Sequence, residues 1–500
     1  MDNELLMGID IGTQGVKILV IIQNGDIIAK GNHTYDFEVP KAGWAEQDPL
    51  QWWDGVTKSL QQIWDQGIKA EQIQGIGISG QMHSLVLLDK NMEVLGNSIL
   101  WNDVRTNEEC EEIEQIVGKK KASVITRNAI LPGFTAPKLL WVRKHEPERY
   151  SKIRHVMLPK DYIVFKLSGI FSCDVSDASG TALFDTEKRS WSREIIERLE
   201  IPFEWLPVVH ESQTVVGGVS QQAAQSTGLT KGTRIVAGAG DNAAAALGNG
   251  IVEEGSGMIS VGTSGTVFAP LKELSPIHDG GQLSTLHLFC HCVPGTWHAM
   301  GVTLSAGMSL NWFKHTFSEK DTYDQFLTGI EAIPAGSEGL YYLPYLNGER
   351  TPHNDPHARG VFFGIHYNHS RKHFTRAVLE GVSYSLRDCY ELIKMNNVSI
   401  NKLYVTGGAS KSSAWRQILA DILGRKLTFF DDREGPAFGA SLLAGLGIGV
   451  WESPTMLPAL FENSEETKAL GQNVKTYEDN YQIYKSLYTQ LKPLFNMKQK

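Results

Sequence analysis

Ile9-Asp10-Ile11-Gly12-Thr13-Gln14-Gly15 near the start of the chain and Ile259-Ser260-Val261-Gly262-Thr263-Ser264-Gly265 in its middle follow one pattern, 250 positions apart. Each is an apolar run that ends in a Gly-Thr-x-Gly turn and leads into a second apolar run, residues 16–22 in the first copy and 266–270 in the second. Gly-Thr turns are common singly. Two of them in the same strand context point to a duplicated unit. The duplication predicts two similar α/β domains facing each other, 1–250 and 251–500.

The flanking sequence extends the pattern. Asn24-Gly25-Asp26 reads as a hairpin turn, so 6–10, 16–22 and 27–31 form an antiparallel meander. Asp48 and Pro49 open a helix over 49–66, with Trp52, Val56, Leu60 and Ile63 on one face. Further strands are expected at 73–79, 84–88, 235–237, 257–261 and 403–405. Further helices are expected at 107–116, 136–145, 374–393 and 412–423. The polar stretch 463–480 reads as a surface connection or helix edge, and 497–500 as a loose tail.

With 500 residues the chain is too long for one ordinary core, and its 42% hydrophobic and 21% charged residues are an ordinary globular balance. A net charge of −9 argues against a nucleic-acid surface. It does not argue against phosphate, because a few amides and a cation can hold one inside an acidic protein. The five cysteines are sparse and odd in number, which fits a reducing compartment better than a disulfide framework. Met1-Asp2-Asn3-Glu4 carries no signal-peptide pattern, and the small-apolar run 439–450 is too short to span a bilayer. A cytoplasmic protein with no membrane and no nucleic-acid partner is expected; a homodimer is compatible with the sequence.

The two Gly-Thr turns suit a nucleotide. Glycine lets the backbone approach phosphate, the amides point at its oxygens, and a threonine hydroxyl adds a donor. The first copy carries Asp10 before its turn. A carboxylate beside phosphate is repelled unless a cation lies between them, so Asp10 suggests Mg²⁺. The second copy has Ser260 there, so the two turns differ in role. Lys17 is a candidate phosphate contact, its alternative reading being a solvated side chain. Gly407-Gly408-Ala409 closes one strand and opens a helix, and joins the two turns as a third nucleotide contact.

Gly238-Ala-Gly240-Asp241-Asn242-Ala243 has the letters of a dinucleotide fingerprint, but no acidic residue ends the next strand, where the ribose contact belongs. Asp241 itself, among small residues at the domain junction, is a candidate general base and also a candidate helix N-cap. His287-Leu-Phe-Cys290-His291-Cys292 looks like a metal cluster. On a strand, however, neighbouring side chains face opposite ways, and no second pair lies at zinc-finger spacing, so a buried strand is the better reading. Trp101-Asn102-Asp103 and Gln81-Met82-His83 both follow strands and combine polar groups with an apolar wall, which suits a polyol. No Walker A motif and no protein-kinase catalytic loop is present.

Taken in order, these segments resemble the FGGY carbohydrate kinases, and within them the xylulokinase branch. The resemblance runs from Gly8 to about Trp451. It includes Trp44–Pro49, Ile99–Asp103, Pro132–Trp141, Leu158–Tyr162, Leu343-Pro-Tyr-Leu-Asn-Gly-Glu-Arg-Thr-Pro352 and Gly435–Ala440 besides the segments above. It implies an actin-like ATPase fold of two ribonuclease-H-like domains around a central cleft, and ATP and Mg²⁺ as cofactors. It implies Asp241 as the base and Asp10 as the Mg²⁺-linked carboxylate. Met82 and His83 match the sugar-binding pair, with Asn242 beside the base. Gly12, Thr13, Gln14, Gly15 and Lys17 match the first phosphate loop, and Gly262 and Thr263 the second. Gly307, Asn311, Gly408 and Ser412 fall at nucleotide contacts. Ser84 stands where xylulokinases often have glycine, and Asn347 where serine is frequent. The expected reaction is transfer of the γ-phosphoryl group of ATP to a small sugar. D-xylulose leads; D-ribulose and glycerol are the alternatives, and a catalytically silent sugar sensor of the same fold is the other class.

Overall fold

The computed structural model describes residues 4–274, 285–430, 435–461, 464–495 and 497. Of the tail expected to be loose, 498–500 lies outside them. The first half builds one seven-stranded sheet from β1 (Leu5–Ile11), β2 (Gly15–Ile21), β3 (Ile27–Thr34), β4 (Ile73–Gly80), β5 (Val215–Gly218), β6 (Arg234–Val236) and β7 (Ala239–Gly240). β1, β2 and β3 are the antiparallel meander, while β4 runs parallel to β1 and β6 parallel to β4.

The second half repeats this order with β8 (Gly255–Val261), β9 (Gly265–Leu271), β10 (His287–Cys290), β11 (Trp297–Thr303), β12 (Ile400–Gly407), β13 (Leu427–Phe429) and β14 (Glu465–Thr467). β8, β9 and β11 form the meander, β12 runs parallel to β8, and β13 runs parallel to β12. Each first strand lies inside its sheet, between a meander and a parallel neighbour; on β1, Leu5, Met7, Ile9 and Ile11 share one core with Trp52 and Val56, and Leu6 shares another with Phe438 and Leu442, so both faces are covered. That is why β1 reads as an almost unbroken apolar run, with only Asp10 less than fully buried.

Among the helices, those that bear on the sheets and the site are α1 (Pro49–Asp65), α2 (Asp241–Leu247), α3 (Gly307–Ser318), α4 (Arg371–Met395), α5 (Ser413–Leu423), α6 (Gly435–Ile448) and α7 (Gly471–Phe495). α1 starts as its sequence dictates: Asp48 accepts from the Leu50 N–H at 2.9 Å, Pro49 sits in the first turn, and Trp52, Val56, Leu60 and Ile63 are buried. The polar reading of 463–480 needs correction. The described part holds strand β14 and the start of α7, which buries Tyr477, Tyr481, Tyr484, Leu487 and Tyr488. Its stripe is phenolic rather than aliphatic, and buried acids take the hydroxyls: Tyr477 donates to Glu380 at 2.7 Å, and Tyr481 donates to Asp388.

Helix α6 belongs to the second half by sequence yet packs on β1 and β4 of the first sheet, and on α2. Glycine makes this possible. A Cβ on Gly8 would lie 1.9 Å from the Ala437 carbonyl oxygen, one on Gly77 1.9 Å from that of Ala440, and one on Gly439 1.8 Å from that of Ala244. Backbone therefore rests directly on backbone at three points of this seam.

Candidate functional site

Register brings three strand ends together. Asp10 pairs with Ser79 across β1 and β4, and Ala239 pairs with Ser79 from the other side, so Gly240 and Asp241 emerge one strand away from Asp10. Ser79 donates to Asp10 at 2.6 Å. Burial raises the Asp10 carboxyl above the ordinary carboxylate range, against the Ser79 bond and the charge of Lys17. Burial, with the charge of Asp10 second, raises Asp241 to about 7, against the bonds from Asn242.

Asp241 is the first residue of α2, with Gly240 in the N-cap position, so it does not cap the helix. Its Oδ1 accepts from the backbone N–H of Asn242 at 2.7 Å and from the Asn242 side-chain amide at 2.8 Å. Oδ2 has no hydrogen-bond partner among the described residues. One oxygen is thus fixed in place and the other is open, the arrangement a proton acceptor needs.

Met82 and His83 stand beside this turn. A Cβ on Gly240 would lie 2.9 Å from Met82 Cγ, and one on Gly180 2.3 Å from the His83 ring, so both glycines are cut away for the pair. His83 takes φ +69°, a left-handed conformation unusual for a non-glycine residue. Its carbonyl is held by the Thr135 hydroxyl and by Lys138 Nζ, each at 3.0 Å. Burial, helped by the charge of Lys138, lowers the ring to about 3, so it is neutral. Nδ1 lies 2.7 Å from the Gly180 carbonyl and must donate to it, which leaves Nε2 as an acceptor.

The first turn closes with Gly12 N–H donating to the Gly15 carbonyl at 2.9 Å, while Tyr35 donates to the Gly12 carbonyl at 2.8 Å. Gln14 and Lys17 are exposed. The Thr13 hydroxyl donates to Gln81 at 3.2 Å and accepts from the Trp101 indole at 2.9 Å. Ser84, one of the departures from the family pattern, accepts from the Trp101 N–H at 3.1 Å.

Asp103 faces away from this pocket wall. It is fully buried, accepts from the Ala45 N–H at 2.6 Å, and takes both nitrogens of Arg105 (2.6–3.0 Å), whose guanidinium lies 3.6 Å over Trp44. Its oxygens hold the loop together.

The second sheet gathers the other glycines. Gly262 and Thr263 are exposed at the turn after β8. Gly307 at the start of α3 donates to the Gly262 carbonyl at 2.8 Å, and its missing Cβ would lie 2.5 Å from that oxygen. Gly407, at φ +79°, lies against Val261, so the third glycine turn closes on the end of β8, followed by exposed Gly408 and buried Ala409. Ser412 caps α5 by accepting from Trp415 N–H at 3.3 Å, and Asn311 accepts from Tyr323 at 3.1 Å. Asn347 is exposed and reaches Met308.

His287–Cys290 is a buried strand as expected, and no group of three His, Cys, Asp or Glu side chains gathers as a metal cluster among the described residues. The sequence reading gave no role to the buried lysines. Lys138 holds His83, and Lys160 pairs with Asp161 at 2.6 Å and Asp174 at 3.2 Å while donating to the Ala237 carbonyl at 3.1 Å. Both lie in segments that carry the family resemblance, which was the available signal.

Comparison with known proteins fits this geometry. Residues 5–248 match the N-terminal domain, and 257–448 the C-terminal domain, of the FGGY family of carbohydrate kinases. The chain is 39% identical over 491 residues to a xylulose kinase of Bacillus subtilis, covering 98% of this chain and 97% of that one. It is 40% identical over 490 residues to a xylulose kinase of Lactococcus lactis, covering 97% and 96%. A crystal structure of a xyloylose kinase from Brucella ovis superposes with a TM-score of 0.89 at 34% identity, covering 98% of this chain and all of the other.

Proposed function

Because the chain belongs to the FGGY family of carbohydrate kinases, with an actin-like fold and ATP-dependent sugar phosphorylation as its activity, we propose that its substrate is D-xylulose, its product D-xylulose 5-phosphate, and its general base Asp241. The observation that carries the base assignment is the asymmetry of that carboxylate: Oδ1 is locked by Asn242, while Oδ2 has no partner among the described residues, and Met82 packs against Gly240 just before it. The similarity to xylulose kinases supports the sugar.

In this reading residues 1–250 carry the sugar site and first phosphate loop, and residues 251–500 the nucleotide-binding half. Asp241 orients the terminal hydroxyl and takes its proton as that oxygen attacks the γ-phosphorus in line. Loop amides and Lys17 stabilise the charge that spreads over the transferred group. His83 Nε2 accepts from a sugar hydroxyl, and Trp101 supplies an apolar wall. Asp10 lies close enough to Asp241 for its charge to raise it, and each is held above its ordinary range. Such a donor set fits Mg²⁺, which takes carboxylate, phosphate and water oxygens. Asp10 would hold the ion, which when bound neutralises phosphate charge.

The test is ADP release with D-xylulose, D-ribulose, other ketoses and glycerol under matched conditions. The reading expects the highest kcat/KM with D-xylulose. A higher value for another acceptor would overturn the sugar, and a folded Asp241→Ala protein with near-normal turnover would overturn the base.

A further inference from the structure

We propose that Arg350 recognises the C1–C2 end of the sugar, donating to the carbonyl oxygen of a ketose whose far end lies at Asp241. The proposal rests on the ketose reading above. Arg350 carries five donors, yet forms no ion pair among the described residues. Its guanidinium makes one long contact, 3.4 Å to Nε2 of His287. The adjacent Glu349 opposes the effect of burial on Arg350 through its charge but makes no ion pair with the guanidinium. That carboxylate accepts instead from the Thr303 hydroxyl at 2.5 Å, the Leu304 N–H at 3.0 Å and the Arg350 backbone N–H at 2.7 Å. A partly buried guanidinium with most of its donors unused is costly, and a ligand oxygen would relieve it.

Its surroundings lead to the sugar pair. His287 stacks on Phe289 with centroids 5.3 Å apart and lies 5.9 Å from Phe134. His83 lies 4.9 Å from Phe134 and 5.8 Å from Phe289. His83 and His287, the ring that Arg350 contacts, therefore belong to one aromatic cluster. The charge of Arg350 reaches both histidines and helps keep them neutral.

The mounting is stiff. Thr351 donates its N–H to the Val302 carbonyl and accepts the Val302 N–H, both at 3.1 Å, and its hydroxyl donates to the Thr285 carbonyl at 3.1 Å. Arg350 thus sits between two residues tied to β11, a support suited to a fixed contact.

The chemistry is complementary. His83 Nε2 is an acceptor and Arg350 a donor. A 1-hydroxy-2-keto end offers one hydroxyl donor and one carbonyl acceptor, matching both. An aldonate would suit Arg350 but set a carboxylate against the lone pair of His83.

The experiment compares wild type with Arg350→Met and Arg350→Lys in the full chain. It measures KM and kcat for D-xylulose, the same for xylitol as substrate or competitor, and KM for ATP. Arg350→Met is expected to raise the D-xylulose KM roughly 10- to 100-fold. It should cut the preference for D-xylulose over xylitol at least about tenfold and leave the ATP KM within about twofold. Arg350→Lys should fall between, and decides the matter by the same ratio if Arg350→Met does not fold. Equal losses on both sugars, an unchanged D-xylulose KM, or an effect on ATP alone overturns the proposal while leaving the ketose reading intact. A wild-type protein inactive on D-xylulose sinks that reading and takes this proposal with it.

Discussion

The indole Nε1 of Trp101 donates a 2.9 Å hydrogen bond to the hydroxyl of Thr13, joining the loop that carries Trp101 to the first Gly-Thr turn. Thr13 passes the connection on by donating to Gln81 at 3.2 Å, and Gln47 donates to the Thr13 carbonyl at 3.2 Å. The turn is therefore positioned from its flank. Trp101→Phe keeps the apolar wall and deletes the bond. A net hydrogen bond of about 0.5–1.5 kcal/mol corresponds to roughly a 2- to 10-fold loss. That loss is expected in kcat/KM for ATP at saturating sugar, with the sugar KM less affected, and steady-state kinetics in both substrates checks it.

Asp241→Asn keeps the shape of the side chain and its place on α2 but removes the proton acceptor. The turnover number is expected to fall by about 10²–10⁴. Binding of the sugar, read by calorimetry, should change far less. A parallel collapse of binding would instead make Asp241 a binding group.

The raised pKa of Asp241, about 7 against an ordinary 3.8, has a sign that can be followed in stability. The folded protein holds this proton more tightly than the unfolded chain, so stability is greatest below the ordinary value and falls as pH rises through about 7. Asp241→Asn should therefore be more stable than wild type at pH 8, by on the order of 2–4 kcal/mol, with the gap closing toward pH 4. Denaturant titrations across that range measure it. The same proton sets activity: kcat/KM for the sugar should fall below pH ~7, by about tenfold per unit well under it.

Asp103→Ala strips one of the two carboxylates from Arg105, leaving Glu46 at 2.8 Å, and leaves the Ala45 N–H without its 2.6 Å acceptor. Removing one member of a buried pair costs about 3–5 kcal/mol. The expected outcome is a large loss of stability with the KM for ATP little changed at temperatures where the protein stays folded. Thermal melting beside kinetics separates the two.

Much of this architecture was legible because its signals are local. The repeated Gly-Thr turns announced two equivalent sheets, and Asp48-Pro49 announced α1. Asp241 stood out in the sequence by its setting among small residues, and its N-cap reading failed because Gly240 takes that position. What could not be read depends on partners distant in sequence. Asp103 looked like a polyol contact until Ala45 and Arg105 were seen to occupy its oxygens. The stretch opening α7 looked polar because its buried face is built from tyrosines whose hydroxyls need Glu380 and Asp388. The free donors of Arg350 show only once the groups around it are in place.

The seam between α6 and the first sheet has a consequence for variation. Where carbonyl oxygens lie under 2 Å from the site of a methyl group, no neighbouring rotamer can make room, since the obstacle is main chain. Positions 8, 77 and 439 are accordingly closed to nineteen of the twenty amino acids. In a saturation library selected for growth on the sugar, these three columns should retain a single letter, while solvent-facing columns vary.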